Sequence, residues 1–263
     1  MKKAKVLLLS PNLLGTNGGI NRIQPGMGMA FLAAALRNAG HEVFVRDTAL
    51  EGWDQRTLAS DGVSVRIGET DEQVLQHIGS VKPNIIGISI MFANVAPFVK
   101  NLTKAIKSAY PLITIVLGGN YVTNAAKDYF YAMDNDLRGT LMETLFVHGL
   151  MDENIDYLMA GEADLEFPKL AECILNDGDV RKIGNLIYSD GLPIFTFKAE
   201  SVDMGSLTAP AWDLFNMERY FEIGAFYSPR TDARKILPIM ATRGCPEQCS
   251  YCTTHDTWGR VVR

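Results

Sequence analysis

Five short apolar runs alternate with helical patterns through residues 1–178, and this alternation restricts the fold more than any other feature of the chain. The runs are Lys5–Ser10, His41–Asp47, Asn84–Ile90, Leu112–Leu117 and Asp156–Ala160. Helical periodicity fills the intervals at Gly28–Asn38, Thr70–Val81, Val95–Ser108, 122–149 and Asp164–Leu175. Strands separated by helices form parallel ladders with right-handed crossovers. Asn84–Ile90 (NIIGISI) is apolar without interruption, as a central strand buried on both faces requires. The expected fold is α/β, a doubly wound five-stranded parallel sheet of the flavodoxin-like order 2-1-3-4-5. Ligands of such sheets sit beyond the strand carboxyl ends, at the switch point in strand order.

The pattern changes after residue 178. Gly184–Ser189 and Pro193–Phe197 flank Asp190-Gly191, which reads as a hairpin. Residues 198–235 read as a packed connector whose aromatics, among them Trp212, Tyr220, Phe221, Phe226 and Tyr227, fill a domain interface. Ile236–Ala241 (ILPIMA) is a sixth apolar run, expected to be a strand. The expected organisation is an α/β domain over 1–178, a hairpin and connector over 179–235, and the start of a further unit over 236–263. Residues 51–69 are polar and turn-rich.

Composition removes several classes. The chain has 263 residues, 47% of them hydrophobic, which excludes a disordered chain, a disulfide-stapled mini-protein and a coiled coil. Twenty-five basic against thirty acidic residues give a net charge of -5, which argues against a nucleic-acid surface. Lys2-Lys3 followed by Val6 to Leu9 is too short for a secretory signal, and no small-residue cleavage site follows. The longest uncharged stretches, near 83–99 and 109–126, contain Pro, Asn and Gly and read as strands and helix starts, not membrane spans. These features together point to a cytoplasmic protein with no membrane or nucleic-acid partner.

The ends of the apolar runs are rich in small and polar residues: Asn12 with Gly15, Gly18 and Gly19, then Asp47, Ser89-Ile90-Met91-Phe92, Gly118-Gly119-Asn120 and Gly161-Glu162. Small residues let a ligand approach the backbone, and helix N-termini offer free N–H groups. Each loop taken singly is also ordinary turn chemistry. Together they predict a ligand crevice. A nicotinamide dinucleotide is disfavoured, because Gly26-Met27-Gly28 lies far from the first strand and Phe31 takes the place of the third glycine. No Gly-Lys-Ser/Thr occurs, so a Walker loop is absent. Glu162 and Glu166 near a helix start read as dipole-favoured surface residues. His41, His77, His148 and His255 read as surface or packing histidines.

Three of the four cysteines fall in Cys245-Pro-Glu-Gln-Cys249-Ser-Tyr-Cys252, directly after the sixth apolar run, while Cys173 stands alone in a helical pattern and reads as a small buried hydrophobe. Clustered thiols with this C-x3-C-x2-C spacing are metal ligands, not a disulfide framework. Three thiolates can hold three irons of a [4Fe–4S] cluster and leave the fourth iron open. The alternative is a zinc site in which His255 joins the three cysteines.

With Tyr251 just before its last cysteine, the loop resembles the cluster loop of radical S-adenosylmethionine enzymes. The preceding region resembles the cobalamin-binding domain fused to one branch of them, through Gln24-Pro-Gly-Met-Gly-Met-Ala-Phe-Leu-Ala-Ala-Ala-Leu36, Gly40-His-Glu-Val43, Gly87-Ile-Ser89, Gly118-Gly119 and Gly161-Glu162. The resemblance implies that Cys245, Cys249 and Cys252 ligate the cluster and that Tyr251 packs near the adenosylmethionine. It implies that Asn12, Met27, Gly28, Asp47, Ser89, Ile90, Met91, Phe92, Gly118, Gly119, Asn120, Gly161 and Glu162 hold the corrin and its nucleotide tail. It further implies a methyltransferase: a 5′-deoxyadenosyl radical takes a hydrogen from an unactivated carbon, and methylcobalamin supplies the methyl group. A radical cyclisation or rearrangement, or a cobalamin carrier or sensor without catalysis, are the alternative outcomes. The implied partners are a small-molecule substrate, such as a phosphonate or another natural-product precursor, and an external reductant.

The chain departs from that pattern in two places. No Asp-x-His-x-x-Gly motif is present to ligate cobalt from below, and Gly118-Gly119-Asn120-Tyr121 stands where relatives carry Gly-Gly-x-His. Residues 253–263 are too few for the strands a radical enzyme's barrel needs beyond its cluster loop, so the expectation is a truncated chain that binds cobalamin without turnover.

Overall fold

The computed structural model describes residues 2–59, 61–134, 150–227, 233 and 235–263. The end of the long 122–149 helical pattern, with its expected break near Gly139 and His148, lies outside them.

The chain begins with β1 (Lys5–Ser10), β2 (Leu13–Thr16), α1 (Met27–Asn38), β3 (Glu42–Asp47), a single turn α2 (Thr48–Glu51), β4 (Arg56–Leu58) and β5 (Ser64–Ile67). It continues through α3 (Asp71–Val81), β6 (Ile85–Ser89), α4 (Ala96–Ala109), β7 (Thr114–Gly118), α5 (Asn120–Asp134), β8 (Tyr157–Met159) and α6 (Glu166–Leu175). It ends with β9 (Leu186–Asp190), β10 (Leu192–Phe195), α7 (Met217–Ile223) and α8 (Thr254–Trp258).

The main sheet has the order β10-β9-β8-β7-β6-β1-β3. Its five parallel strands, β3-β1-β6-β7-β8, follow the expected 2-1-3-4-5 arrangement. The reversal of direction across the sheet falls between β1 and β6, where Leu9 pairs with Ile88. The hairpin at Asp190-Gly191 does more than stand beside the domain: β9 pairs antiparallel with β8, so β9 and β10 extend the sheet at one edge. That edge is closed because β8 is only three residues long and its outer N–H and C=O groups need a partner.

The central strands are buried on both faces, so two apolar cores lie one on each side of the sheet. Ile86, Ile88 and Leu117 face α3, α4 and α5; Leu8, Ile85 and Val116 face α1 and α6. Gly87 makes room between strand and helix, since a Cβ there would meet Leu8 Cδ2 at 2.9 Å and the Phe167 ring at 3.2 Å. Helix α3 starts where the sequence signals it, with a capping box in which Gln73 N–H donates to Thr70 Oγ1 and Thr70 N–H donates to Gln73 Oε1.

Two features depart from the sequence pattern. The polar, turn-rich residues 51–69 hold β4 and β5, which form a small antiparallel sheet with β2 in the order β2-β5-β4. These strands are short, and Arg56, Thr57 and Leu58 are all exposed, so apolar patterning gave no sign of them. The expected strand Ile236–Ala241 pairs with no neighbour among the described residues, and Leu237 and Ile239 face solvent. Its apolar side chains fit a strand, but a strand needs a ladder partner.

The connector packs as expected. Trp212 meets Phe215 edge-on at 5.6 Å, Ala211 N–H donates to Ala30 O in α1, and Phe226 is buried, although Tyr227 is exposed. Helix α7 inserts Tyr220, which is fully buried and donates its hydroxyl to Asp47 Oδ2 at 2.6 Å. Asp47 Oδ1 accepts from Ala49 and Leu50 N–H and so caps α2. Burial pushes the Asp47 carboxyl up to about 6, against the opposing pull of its three hydrogen bonds.

A carboxyl whose pKa rises on folding favours the folded state while protonated, and that advantage is lost as pH rises from about 4 to about 6. Asp47→Asn is therefore expected to gain stability relative to the parent across that window, by up to about 3 kcal/mol. Urea unfolding at pH 4, 5, 6 and 7 checks it; a pH-independent difference refutes the burial of a titrating carboxyl.

Candidate cofactor crevice at the carboxyl edge of the sheet

The loops that follow the parallel strands meet at one edge, and backbone contacts hold them together. Ile90 N–H donates to Gly118 O, and Tyr121 N–H donates to Ile90 O. This close approach requires Gly119: its φ is +97°, and a Cβ there would lie 2.6 Å from Ile90 O. Gly161 N–H donates to Thr123 Oγ1 at 2.8 Å, which ties the loop after β8 to α5. Ser89–Phe92, Gly118–Asn120 and Gly161 are thereby neighbours. Met91 and Phe92 stand more than half exposed just beyond β6. Gly28, in the first turn of α1, has open space where a Cβ would be; the N-terminus of α1 carries neither a side-chain cap nor an acidic residue.

Asn12 and Asp47 are also at this edge, but their polar atoms are engaged inside the protein. Asn12 Nδ2 donates to Glu69 O, and its Oδ1 accepts from Thr48 Oγ1 at 2.6 Å. Gly68, with φ +138°, passes so close that a Cβ would meet Asn12 Oδ1 at 2.2 Å. Asn12 thus fastens the small sheet to β1, and Asp47 holds α7.

Glu162 and Glu166 are not surface residues as their sequence context suggests; both are buried. Glu166 Oε2 accepts from Gly184 N–H at 2.6 Å, and Lys169 pairs with Oε1. Glu162 receives Arg263 at 2.9 Å and Arg243 at 3.3 Å, while its Oε2 accepts from Val202 N–H. Asp164, also buried, takes two bonds from Arg243, at 2.8 and 3.3 Å. Arg243 is 1% exposed, and its guanidinium lies 5.1 Å from the Phe31 ring centroid and 4.7 Å from that of Trp258. Phe31 sits one helical turn after Met27, on the same face of α1. The pairing of Arg243 with Glu162 carried no sequence signal, the two being 81 residues apart along the chain.

Arg243 directly precedes the cysteine loop. Arg243 and Arg263 exchange N–H···O bonds at 3.1 and 2.8 Å, and Cys245 N–H donates to Gly259 O. This pairing closes the segment 245–259 at its base. Gly244 allows it, with φ +91° and only 2.0 Å between a would-be Cβ and Val261 O. Helix α8, inside the loop, rests on α5: Thr257 Oγ1 donates to Asn120 Oδ1 at 2.8 Å, and Lys127 pairs with Asp256 at 2.7 Å. The cysteine loop is therefore seated against the loops after β7 and β8.

Within it, Cys245 and Cys252 are half-buried, Cys249 is exposed, and Tyr251 projects into solvent at 88% exposure. Cys252 N–H donates to Cys249 O in a tight turn. Hydrogen bonding by Thr254, whose Oγ1 is 3.2 Å from Cys252 Sγ, holds that thiol below its usual range. Among the described residues no three His, Cys, Asp or Glu side chains are gathered as a preformed metal cage. Of the other histidines, His41 is buried and accepts from Ala4 N–H at Nδ1, His77 lies against Arg46, and His255 against Asp256. Cys173, expected to be buried, is half-buried. No helix among the described residues is long and apolar enough to cross a membrane.

Residues 20–140 match the model of the B12 binding domain. The chain is 27% identical to the cytidylyl-2-hydroxyethylphosphonate methyltransferase of Streptomyces wedmorensis over 98% of its own length and 49% of that protein's. Its fold resembles the radical S-adenosylmethionine methyltransferase TsrM of Kitasatospora setae, with a TM-score of 0.61 and 17% identity over 97% of this chain and 42% of that one. It also resembles the cobalamin-dependent S-adenosylmethionine radical enzyme OxsB, with a TM-score of 0.66 and 15% identity over 95% of this chain and 28% of that one. The chain spans about half the length of the curated relative it matches.

The close approach at Gly119 is directly testable. Gly119→Ala is expected to destabilise the chain by at least about 1 kcal/mol, because the added methyl meets Ile90 backbone at a positive φ. An unchanged urea midpoint refutes that contact.

Proposed function

We propose that this chain, a relative of the cobalamin-dependent radical S-adenosylmethionine enzymes with a B12-binding domain at residues 20–140, contributes the cobalamin crevice and the cluster loop of a radical C-methylase. The observation that carries the proposal is the seating of the loop 245–259 on the same edge of the sheet as Ser89–Phe92 and Gly118–Asn120. Two cofactors that must act on one substrate carbon need such an adjacency.

The residues present fit both groups. Met91 and Phe92 offer an apolar shelf to a corrin face, and the uncapped start of α1 around Met27 and Gly28 leaves N–H groups and space for its amide or phosphate substituents. Gly118, Gly119, Asn120 and Gly161 keep the opposite wall low. Asn12, Asp47 and Glu162 serve this crevice by holding its loops, since their polar atoms face inward. Cys245, Cys249 and Cys252 are the donor set for a [4Fe–4S] cluster, with Tyr251 beside the adenosylmethionine. When bound, these cofactors supply the methyl group and the radical that removes a hydrogen from an unactivated carbon. The chain's own residues position the two groups and exclude water between them.

Residues 1–178 form the cobalamin domain in this reading, 179–235 the edge hairpin and connector, and 236–263 the start of the barrel. The substrate is a small molecule of the phosphonate or natural-product precursor kind, and electrons come from an external reductant.

Anaerobic reconstitution with iron, sulfide and hydroxocobalamin, followed by gel filtration and visible spectroscopy, tests the proposal. The protein is expected to retain the cobalamin absorption and an iron–sulfur shoulder. A Cys245→Ala/Cys249→Ala/Cys252→Ala triple variant is expected to lose iron and keep cobalamin. Uptake of neither chromophore by the parent chain overturns the assignment, and stoichiometric zinc in a colourless protein replaces it with the Cys3His site.

A further inference from the structure

Arg243 is a fully buried cation at the root of the cysteine loop, 1% exposed and held on four sides. It grips Asp164 with both terminal nitrogens and Glu162 with one, and its guanidinium carbon lies over the rings of both Phe31 and Trp258. Three of these four partners belong to the sheet domain: Phe31 to α1, and Glu162 and Asp164 to the loop after β8. The fourth, Trp258, closes the cysteine loop. Arg263 completes the charge balance, two cations against two carboxylates, by pairing with Glu162 at 2.9 Å while bonding Trp258 O.

From this arrangement we infer that Arg243 is a positioning residue, a latch that fixes the cluster loop over the crevice through Asp164 and Glu162. Neither its spacing from the cysteines nor the donor chemistry of the thiols requires a buried arginine at this place. The forked guanidinium is the group that can pair with a carboxylate bidentately and stack on two aromatic faces at once; an ammonium cannot do both. The position of the loop thus depends on a charge outside the ligand set. The inference deepens the proposed function and rests on it for the identity of the cargo, but the docking itself is measurable without any cofactor.

The experiment compares the parent chain with Arg243→Met, Arg243→Lys and Asp164→Asn by hydrogen exchange of the apo protein. Each is then reconstituted with hydroxocobalamin and with iron and sulfide. In Arg243→Met the amides of 243–263 are expected to exchange at least tenfold faster, while those of β1 and β6 stay within twofold of the parent. Cobalamin uptake is expected to be unchanged and iron uptake to fall severalfold. Arg243→Lys is expected to recover part of the protection and part of the iron.

Unchanged exchange at 243–263, or full iron uptake from a released loop, overturns the latch. If Arg243→Met loosens the entire sheet, Asp164→Asn decides: selective release of 243–263 supports the inference, and a global or silent effect overturns it. Selective release in a parent chain that takes up neither cobalamin nor iron supports the latch while overturning the cofactor reading.

Discussion

The buried exchange of charge between Arg243, Arg263, Glu162 and Asp164 is the interaction on which the arrangement of this molecule depends. Burying Glu162, Asp164 and Arg243, with Arg263 half-buried beside them, is costly, and it is tolerated here because every charge meets an opposite one and the Arg243 guanidinium also lies over two rings. Removing one member of such a set costs roughly 3–5 kcal/mol, because its partners stay buried without compensation. The network joins three segments far apart in the chain: α1 through Phe31, the loop after β8, and the cysteine segment. Lesser contacts add to it: Thr257 meets Asn120, and Lys127 meets Asp256, where α8 rests on α5.

A second buried carboxyl does comparable work at the opposite end of the same edge. Asp47 caps α2 and accepts the Tyr220 hydroxyl, so one side chain ends β3, starts the next turn and holds the connector helix. Asn12 does the same for the small sheet through Thr48 and Glu69. The polar side chains of the carboxyl edge are thus largely occupied by the loops themselves. What they leave facing outward is apolar or bare: Met91, Phe92 and the exposed Gly28, with Gly118 and Gly119 half-buried beside them. An edge built in this way suits a broad ligand whose affinity comes from contact area and backbone N–H groups.

The parallel sheet was legible because its strands obey a local rule. A strand covered on both faces must be apolar along its buried length, and Val6–Leu9 and Ile85–Ile88 are. Helix α3 was legible because Thr70, Asp71 and Glu72 mark a helix start, which the Thr70–Gln73 capping box completes. The small sheet was not, because exposed strands such as Arg56–Leu58 carry no apolar signature; their order comes from pairing with β5 and from Asn12 reaching across to residue 69. Ile236–Ala241 fails in the opposite sense. It has the composition of a strand without a ladder partner, and the ladder is a property of two segments.

The amino-acid sequence by itself determined which segments become strands and helices, the 2-1-3-4-5 order of the parallel sheet, and the presence of a three-thiol donor set, since all of these follow from local periodicity, crossover handedness and spacing. The tertiary structure alone decided which polar residues hold the loops and which surfaces remain open. Nothing in the sequence joins Glu162 and Asp164 to Arg243, because an ion pair between residues some 80 positions apart leaves no local mark. Only folding takes those charges out of water, and once they are desolvated their pairing becomes obligatory and sets where the cysteine loop lies.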